Sequence, residues 1–387
     1  SDIYYDQLLS TNYDSCTFRS IATQNVSILA HIVPATGITL TNIFDIFPSD
    51  TSEGPAVKLQ FARFFCLVIY SLICYFAIKK TPKFKKSLFL ILLLPNSLLL
   101  RTMVSYDGLI MSTVALTLAL ILSLIYDDNA KFNKWHLLWF IFSGYILLNI
   151  KTIYSIIFIL LFAIPKEKFG TKNDKIKKYA MVAGFIIFFT MLNKLIYSGL
   201  GGSSPDIVSE QLSFIKGNLF EVFKILTYNI LSQFRSQMYW MIGTYGLLDT
   251  YMPQLFVFIV YILLFITILS DIFNNENKIP ILYRLLLLFF TILAVYGMYG
   301  IMYLDWTPKV TATVGGSEVT GIQGRYYLPL LLLLPIIFNN NLISKVKNEN
   351  IKNVLKQIDK FLENYTFICT CLLLTLVVIF ILLRFYM

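Results

Sequence analysis

Charged residues are scarce in this chain, and that scarcity is its first informative property. Only 14% of the 387 residues are Asp, Glu, Lys or Arg, whereas 57% are hydrophobic. A water-soluble domain of this size could not cover so much apolar surface, so the composition excludes that class. The mean hydropathy of +0.69 predicts a polytopic membrane protein instead.

The residues that build metal sites and disulfide frameworks are also few. The two histidines, His31 and His136, lie far apart, and of the five cysteines only Cys16 lies in a polar region. This spacing fits neither a zinc site nor a disulfide framework. The chain contains no Walker loop, dinucleotide fingerprint, nucleophile elbow or HExxH motif. It starts at Ser1 without a visible signal peptide, and we expect that an upstream span is absent.

Long apolar segments are abundant. A helix needs about 20 apolar residues to cross a bilayer, and fewer if it is short or re-entrant. The pattern predicts an all-α membrane helix bundle with about ten spans. These spans are predicted at 57–78, 85–104, 107–126, 135–149, 152–164, 178–197, 254–272, 281–303, 325–343 and 366–385.

Lysines in the connecting loops predict the orientation of the spans. Loop 79–86 carries five lysines, loop 165–178 carries six and segment 344–365 carries five. If every segment crosses, these loops share one side, which should be cytoplasmic. The net charge of +10 is therefore interpreted as a topology signal, with the lipid bilayer rather than nucleic acid as partner. The outer face would hold 1–54, 101–107, 149–152, 198–253 and 304–324.

The same alternation divides the chain into regions. Residues 1–54 form a first outer loop, 55–343 form the transmembrane bundle, and 366–387 form the last span. Within outer loop 198–253, apolar residues at helical spacing predict an interfacial helix over 207–238, and segment 344–365 predicts a cytoplasmic amphipathic helix.

One long helix over 135–164 would break the alternation. Two short helices that meet near 149–152 preserve it. Their turn would then lie below the outer surface, and it would carry Lys151 into the membrane zone. A lysine at that depth requires a polar cavity or a partner. Snorkelling of its side chain to the surface is the alternative.

Several other polar residues fall on the predicted outer side. Arg325 stands at the start of an apolar run and is followed by two tyrosines, so it is either an interfacial anchor or a ligand for an anion. Asp107 opens a helix, either as a first-turn acid capped by Ser105 or as a carboxylate facing a cavity. Arg63 is equally compatible with snorkelling and with function, and Asp249 is typical of a turn.

Together, Arg63, Lys151 and Arg325 predict a basic pocket at the outer end of the bundle. Guanidinium and ammonium groups both bind phosphate well. A lipid phosphate fits such a pocket, because its head can meet the cations while its tail stays among the helices.

These residues occur in an order that resembles a known family. The order is Arg63, Pro95, Ser105-Tyr106-Asp107, Lys151, Gly243-x-x-Gly-x-x-Asp249, and Gln323-Gly-Arg-Tyr326 followed by Leu328-Pro329. Over residues 55–340 the chain resembles the bacterial domain-of-unknown-function family 2142, multispanning proteins often associated with cell-surface polysaccharide genes. Gln-Gly-Arg-Tyr before Leu-Pro is the most specific element.

That family is similar to GT-C class glycosyltransferases, and the resemblance implies several expectations. The donor would be a polyprenyl-phosphate sugar and the acceptor a cell-surface glycan or lipid-linked molecule, at the outer face of the bacterial cytoplasmic membrane. No cofactor would be required, and a divalent metal is compatible. The class keeps its catalytic carboxylate in the first outer loop, where this chain has no Asp-Asp or Asp-Glu pair. Asp2 and Asp6 are the nearest acids there.

The resulting hypothesis assigns a role to each site residue. Asp107 is the candidate catalytic carboxylate, with Asp2 or Asp6 as the alternative, and Arg325, Lys151 and Arg63 hold the lipid phosphate. The further substrate-binding candidates are Tyr106, Gln323, Tyr326 and Asp249. Two alternatives stay open: a transporter or flippase of lipid-linked saccharides, which should show an internal repeat that we do not find, and a non-catalytic subunit of a polysaccharide assembly complex.

Overall fold

The computed structural model describes residues 28–44, 54–197, 206–245, 249–274, 277–339 and 348–386. Asp2 and Asp6 lie outside these ranges. The α-helices are α1 (Ile32–Ile43), α2 (Gly54–Lys80), α3 (Lys85–Leu92), α4 (Pro95–Thr102), α5 (Asp107–Tyr126), α6 (Lys134–Ile150), α7 (Lys172–Tyr197), α8 (Asp206–Gly217), α9 (Leu219–Gly243), α10 (Gln254–Asn274), α11 (Ile281–Ile301), α12 (Thr307–Thr311), α13 (Leu328–Leu331), α14 (Leu334–Ile337) and α15 (Glu349–Tyr386). The 3-10 helices are Ile28–His31, Thr152–Ala163, Lys166–Lys168 and Gly324–Tyr327, and a π-helical turn covers Met302–Trp306.

Six helices of the described ranges are long and apolar enough to cross a membrane, so the chain is a multi-pass helical membrane protein. They are Ala56–Lys80, Asp107–Tyr126, Lys172–Leu195, Gln254–Phe273, Ile281–Thr311 and Glu349–Leu383. The other four predicted spans coincide with helices that are shorter or interrupted, so a count of about ten crossings stays a prediction.

Helix α5 is the central helix of the bundle. Within its most apolar 18-residue window 89% of the residues are buried, against 11% in the corresponding window of α7. It packs against α2, α4 and α6. Gly108 in its first turn permits this packing, because a Cβ there would lie only 2.7 Å from the Leu100 carbonyl oxygen and from the ring of Tyr70. The first residue of this buried helix is Asp107.

The predicted span over 85–104 is interrupted. Helix α3 ends at Leu92 and α4 begins at Pro95, which lacks the N–H that a continuous helix would need. The buried guanidinium of Arg101 closes the break. Its Nε donates to the Ser97 carbonyl at 3.1 Å, and another of its nitrogens donates to the carbonyl of Leu92. The open backbone acceptor beside the break is therefore satisfied inside the protein.

The predicted span over 325–343 is also interrupted. Pro329 and Pro335 lie at the beginnings of α13 and α14, which have four residues each. Both helices are largely buried within the bundle. Irregular backbone at membrane depth is tolerated where protein rather than lipid surrounds it.

Two short helices do meet at Lys151, as the loop charges predicted. The first is α6, and the second, Thr152–Ala163, is a 3-10 helix rather than an α-helix. A 3-10 helix rises about 2.0 Å per residue, so this segment extends about 24 Å, a distance that would take about 16 α-helical residues. Lys151 lies in the turn between the two helices.

Three further predictions are refined. The interfacial helix expected over 207–238 is divided into α8 and α9 at Asn218. The turn before Pro253 contains a small antiparallel hairpin of β1 (Thr244–Tyr245) and β2 (Thr250–Tyr251), which an all-α prediction omits. The predicted amphipathic helix and final span are one continuous helix over 349–386, which contains no proline or glycine.

Candidate functional site

The Asp107 carboxylate is contacted by two cationic side chains from distant parts of the chain. Its Oδ1 accepts a hydrogen bond from Lys151 Nζ at 2.9 Å, and its Oδ2 lies 3.5 Å from Arg325 Nε. The three residues form a charge triad with a formal net charge of +1. The Asp107 side chain is only 11% exposed, and it lies in the first turn of α5, at the positive end of the helix dipole.

Lys151 is held between aromatic rings. Its ammonium lies 4.0 Å from the centre of the Tyr326 ring and 5.3 Å from that of Tyr106, distances typical of cation–π contacts. The Tyr154 hydroxyl donates to the Tyr326 carbonyl at 2.8 Å, which ties the 3-10 helix to the segment carrying Arg325. Burial lowers the pKa of the Lys151 ammonium, and the Asp107 carboxylate acts in the opposite direction.

Arg325 keeps unused capacity for an anion. Its Nε is within ion-pairing range of Asp107 but makes no hydrogen bond among the described residues. Its Nη1 contacts the sulfur of Met103 at 3.6 Å, and thioether sulfur is a weak acceptor. The side chain is 28% exposed. A guanidinium with five donors can therefore bind a further oxyanion here.

Helix α9 fixes the loop that leads to Arg325. Asn229 Nδ2 donates to the Ser317 carbonyl at 2.8 Å, and its Oδ1 accepts from the Val319 N–H at 3.0 Å. One turn on, Gln233 Nε2 donates to the Val319 carbonyl at 2.9 Å. Side chains four residues apart share one face of a helix. These carboxamides therefore support an irregular segment whose backbone groups would otherwise lack partners.

Gly324 brings the loop against α9 at its closest point. A Cβ on Gly324 would lie 2.5 Å from the Gln237 carbonyl oxygen and 2.7 Å from the carbonyl carbon of Trp240. Such distances are too short for any side chain, so glycine is required for this contact. The next residue is Arg325, whose position consequently depends on this approach.

A small cavity lies behind Arg325, lined in part by Asn96, Thr244 and Gln323. Thr244 Oγ1 and Gln323 Oε1 are buried and make no hydrogen bond within the described ranges. The Asn96 amide nitrogen already has hydrogen-bond partners, because it donates to the carbonyls of Trp240 and Met241 at the end of α9. The cavity thus offers polar groups next to the guanidinium.

The structure brings some of the predicted site residues together and leaves others apart. Tyr106 and Tyr326 contact Lys151, and Gln323 lines the cavity at Arg325. Arg63 makes a separate contact, since its Nε donates to the Thr102 carbonyl at the end of α4 at 3.3 Å. Asp249 is exposed in the hairpin, where its Oδ1 accepts from the Thr250 hydroxyl at 3.3 Å.

Sequence reasoning missed Met103, Tyr154 and the carboxamides of α9. Met103 and Tyr154 gave no signal, because single apolar or aromatic residues in apolar segments are normally packing residues. The carboxamides did give a signal, because Asn229, Gln233 and Gln237 repeat at helical spacing. The apolar stripe of the same segment predicted only an interfacial helix.

Among the described residues, no group of three His, Cys, Asp or Glu side chains is arranged to hold a metal ion.

Neither the curated proteins nor the solved structures contain a match to the chain. A family model described as a predicted membrane protein matches residues 20–334. Because this match covers most of the 387 residues, the chain belongs to the domain-of-unknown-function family 2142.

Proposed function

We propose that this protein is a membrane glycosyltransferase of GT-C type that takes its sugar from a polyprenyl-phosphate donor. The observation that carries the proposal is the convergence of Lys151 and Arg325 on one carboxylate at an end of the central helix. Two cations within ion-pairing range of one acid are the groups that glycosyl transfer from a lipid phosphate requires. The cations bind the phosphate, and the acid accepts a proton.

Exchange of anions is the first step of the proposed mechanism. In the unliganded site the Asp107 carboxylate occupies the position beside both cations. The donor is a phosphodiester with one negative charge, as the carboxylate has, so its non-bridging oxygens can take the place of the carboxylate beside Lys151 and Arg325 once the polyprenyl chain is bound among the helices. The ionic partners of Asp107 are then engaged by the phosphate, so its carboxylate oxygens are open to the acceptor hydroxyl.

Transfer then follows in one displacement. The acceptor hydroxyl oxygen forms a bond to the anomeric carbon while the bond from that carbon to the phosphate oxygen breaks. The hydroxyl proton moves to Asp107, and the bonding electrons leave with the polyprenyl phosphate. Lys151 and Arg325 stabilise the charge that grows on the leaving phosphate. The mechanism requires no cofactor and is compatible with a divalent metal.

Orientation follows from loop charge in this proposal. The lysine-rich loops lie on the side of the membrane where α5 ends. The charge triad at the start of α5 would therefore face outward from a bacterial cytoplasmic membrane. There the acceptor would be a cell-surface glycan or a lipid-linked saccharide, while the polyprenyl chain stays among the helices.

The test is transfer by the purified full chain in lipid nanodiscs. Polyprenyl-phosphate monosaccharides are supplied one at a time with a glycan acceptor, and release of polyprenyl phosphate is measured. We expect Arg325→Ala to reduce release about 100-fold or more, the size of effect seen when one charge-stabilising donor is removed. Lys309→Ala, which removes an exposed pair with Asp305, should leave release unchanged.

Three results would overturn the proposal. Near-normal release by Arg325→Ala would remove the role of the guanidinium. Movement of lipid-linked saccharides across sealed vesicles without any release of polyprenyl phosphate would favour a transporter or flippase instead. Loss of cell-surface glycan on deletion, fully restored by Arg325→Ala, would favour a non-catalytic subunit.

A further inference from the structure

A second cavity lies at the other end of α5. It is a cleft of about 650 Å³ between α2, α5 and α6. Asp107 begins α5, and the cleft lines the second half of this helix from Leu116 to Ser123, so about 14–24 Å of helix separates its lining from Asp107. The charge triad and its proposed chemistry make no use of this cleft.

The lining of the cleft changes from apolar to polar along the helices. Leu116 and Leu120 of α5 and Phe76 of α2 lie one to three turns before the ends of their helices, toward the middle of the bundle. Lys80, the last residue of α2, and Lys131, in the loop after α5, lie at the rim. This gradient matches a lipid, whose charged head lies above its chains.

Two tryptophans line the cleft at different depths. Trp135, in the first turn of α6, is 67% exposed although it is large and apolar. Tryptophan concentrates at the level of the lipid headgroups, because its ring is apolar and its N–H is polar, so the position of Trp135 agrees with headgroup depth at the rim. Trp139 lies deeper, where its Nε1 donates to the Thr117 hydroxyl at 3.0 Å, beside Leu116.

The rim carries cations without ionic partners. No ion pair involves Lys80 or Lys131 among the described residues. Asp127 is the acid in the lining, and its carboxylate already accepts the Asn129 N–H at 3.0 Å. A neighbouring cavity under Lys86 differs, because Lys86 pairs there with Asp359 and donates to Ser270 at 3.0 Å.

We propose that this cleft binds one anionic phospholipid of the adjoining leaflet. Its phosphate lies between Lys80 and Lys131, its glycerol backbone lies beside Trp135, and an acyl chain follows Leu120, Leu116 and the ring of Trp139. Loop charge alone would predict lysines at this end. The apolar side chains of Phe76, Leu116 and Leu120 below these lysines favour a lipid over a soluble anion. This site is independent of the proposed transferase activity.

Tryptophan quenching by brominated lipids tests the proposal on the full chain. The protein is placed in phosphatidylcholine nanodiscs containing a minor fraction of either dibrominated phosphatidylglycerol or dibrominated phosphatidylcholine. The signal of the cleft is the quenching lost in Trp135→Phe/Trp139→Phe, since the chain has four tryptophans and the other two remain. We expect phosphatidylglycerol to be preferred at least about fivefold, because each lysine near an anionic headgroup contributes about that factor.

A matched pair of double variants separates a site from general attraction. Lys80→Ala/Lys131→Ala should abolish the preference for phosphatidylglycerol. Lys83→Ala/Lys85→Ala removes the same charge from the neighbouring cavity and should keep it. Equal quenching by both brominated lipids, or loss of the preference in both double variants, would overturn the proposal. Competition by inorganic phosphate would overturn it as well, since the site would then take a soluble anion.

Discussion

The ammonium of Lys151 lies 2.9 Å from Oδ1 of Asp107, although 44 residues separate the two in the chain. The contact joins the turn after α6 to the first residue of α5. It also neutralises a carboxylate that is largely buried. An unpaired charge at this position would carry a large desolvation cost, so the contact contributes both to stability and to the proposed chemistry.

Replacement of Lys151 should affect stability and transfer together. Lys151→Ala leaves Asp107 with Arg325 at 3.5 Å as its remaining ionic partner in the triad, so we expect a loss of about 2 kcal/mol in the free energy of unfolding. Transfer should fall about 100-fold or more, since one of the two phosphate ligands is gone. Thermal unfolding in detergent and release of polyprenyl phosphate measure the two effects.

The control for this prediction is Lys309→Ala. Lys309 pairs with Asp305 at 2.6 Å on the surface, and exposed pairs contribute about 0–1 kcal/mol. Equal unfolding temperatures for Lys151→Ala and Lys309→Ala would show that the triad contributes nothing to stability.

Replacement of Asp107 should separate binding from catalysis. Asp107→Asn removes the anion that competes for Lys151 and Arg325, so polyprenyl phosphate should bind about tenfold more tightly, equivalent to about 1.4 kcal/mol. Transfer should be lost, because an amide cannot accept the acceptor proton. Binding is measured by native mass spectrometry with polyprenyl phosphate, which contains no sugar.

The direction of the binding change distinguishes two roles for Asp107. Tighter binding supports a carboxylate that yields its place to the phosphate. Weaker binding would contradict the exchange step and would indicate that Asp107 holds the ligand directly.

Much of this arrangement could be predicted from the sequence. Hydropathy located the long helices, and the alternation of loop charge required two short helices meeting at Lys151. The same alternation placed Asp107 and Arg325 at the starts of apolar segments on the outer side, and the family-like order of motifs contains both residues. Each of these signals is local in the chain or counts charge over whole loops, and that is why it is readable without a structure.

The remainder depends on contacts between distant segments. Arg63 has the same charge as Arg325, and only the fold shows that its Nε donates to the Thr102 carbonyl at the end of α4. Its role as a phosphate ligand stays a prediction. Arg101 gave no signal as the residue that closes the break before Pro95, since the two partners it binds at the break are backbone carbonyls. Sequence pattern records side-chain type and spacing. It does not record which buried backbone groups still need a partner.

Asn229 should act as a positioning residue for Arg325. Asn229→Leu keeps the volume of the side chain but removes the partners of the Ser317 carbonyl and the Val319 N–H. We expect a loss of about 2 kcal/mol in stability and weaker binding of polyprenyl phosphate, because the loop that carries Arg325 is released. Thermal unfolding and native mass spectrometry measure both quantities.

Asn218→Leu is the matched control for Asn229→Leu. Asn218 is exposed between α8 and α9, and its side chain donates to the Phe214 carbonyl, close by in the chain. Its replacement should change neither stability nor binding appreciably. If both leucine variants bind polyprenyl phosphate like the unchanged protein, the carboxamides of α9 do not position the loop.

Gly324 offers the sharpest test of the contact between the loop and α9. In Gly324→Ala the new Cβ would meet the backbone of α9 at Gln237 and Trp240, and backbone cannot move aside as a flexible side chain can. We expect a loss of about 1–3 kcal/mol in stability from overpacking. Arg325 should also be displaced, so transfer should fall much more than stability alone explains.

Gly184→Ala is the control, because a Cβ at Gly184 in α7 has no neighbour within 4 Å. That change should be neutral or stabilising by up to about 1 kcal/mol, since alanine favours a helix over glycine. Full transfer by Gly324→Ala, with an unfolding temperature equal to that of Gly184→Ala, would mean that Arg325 does not depend on this close approach.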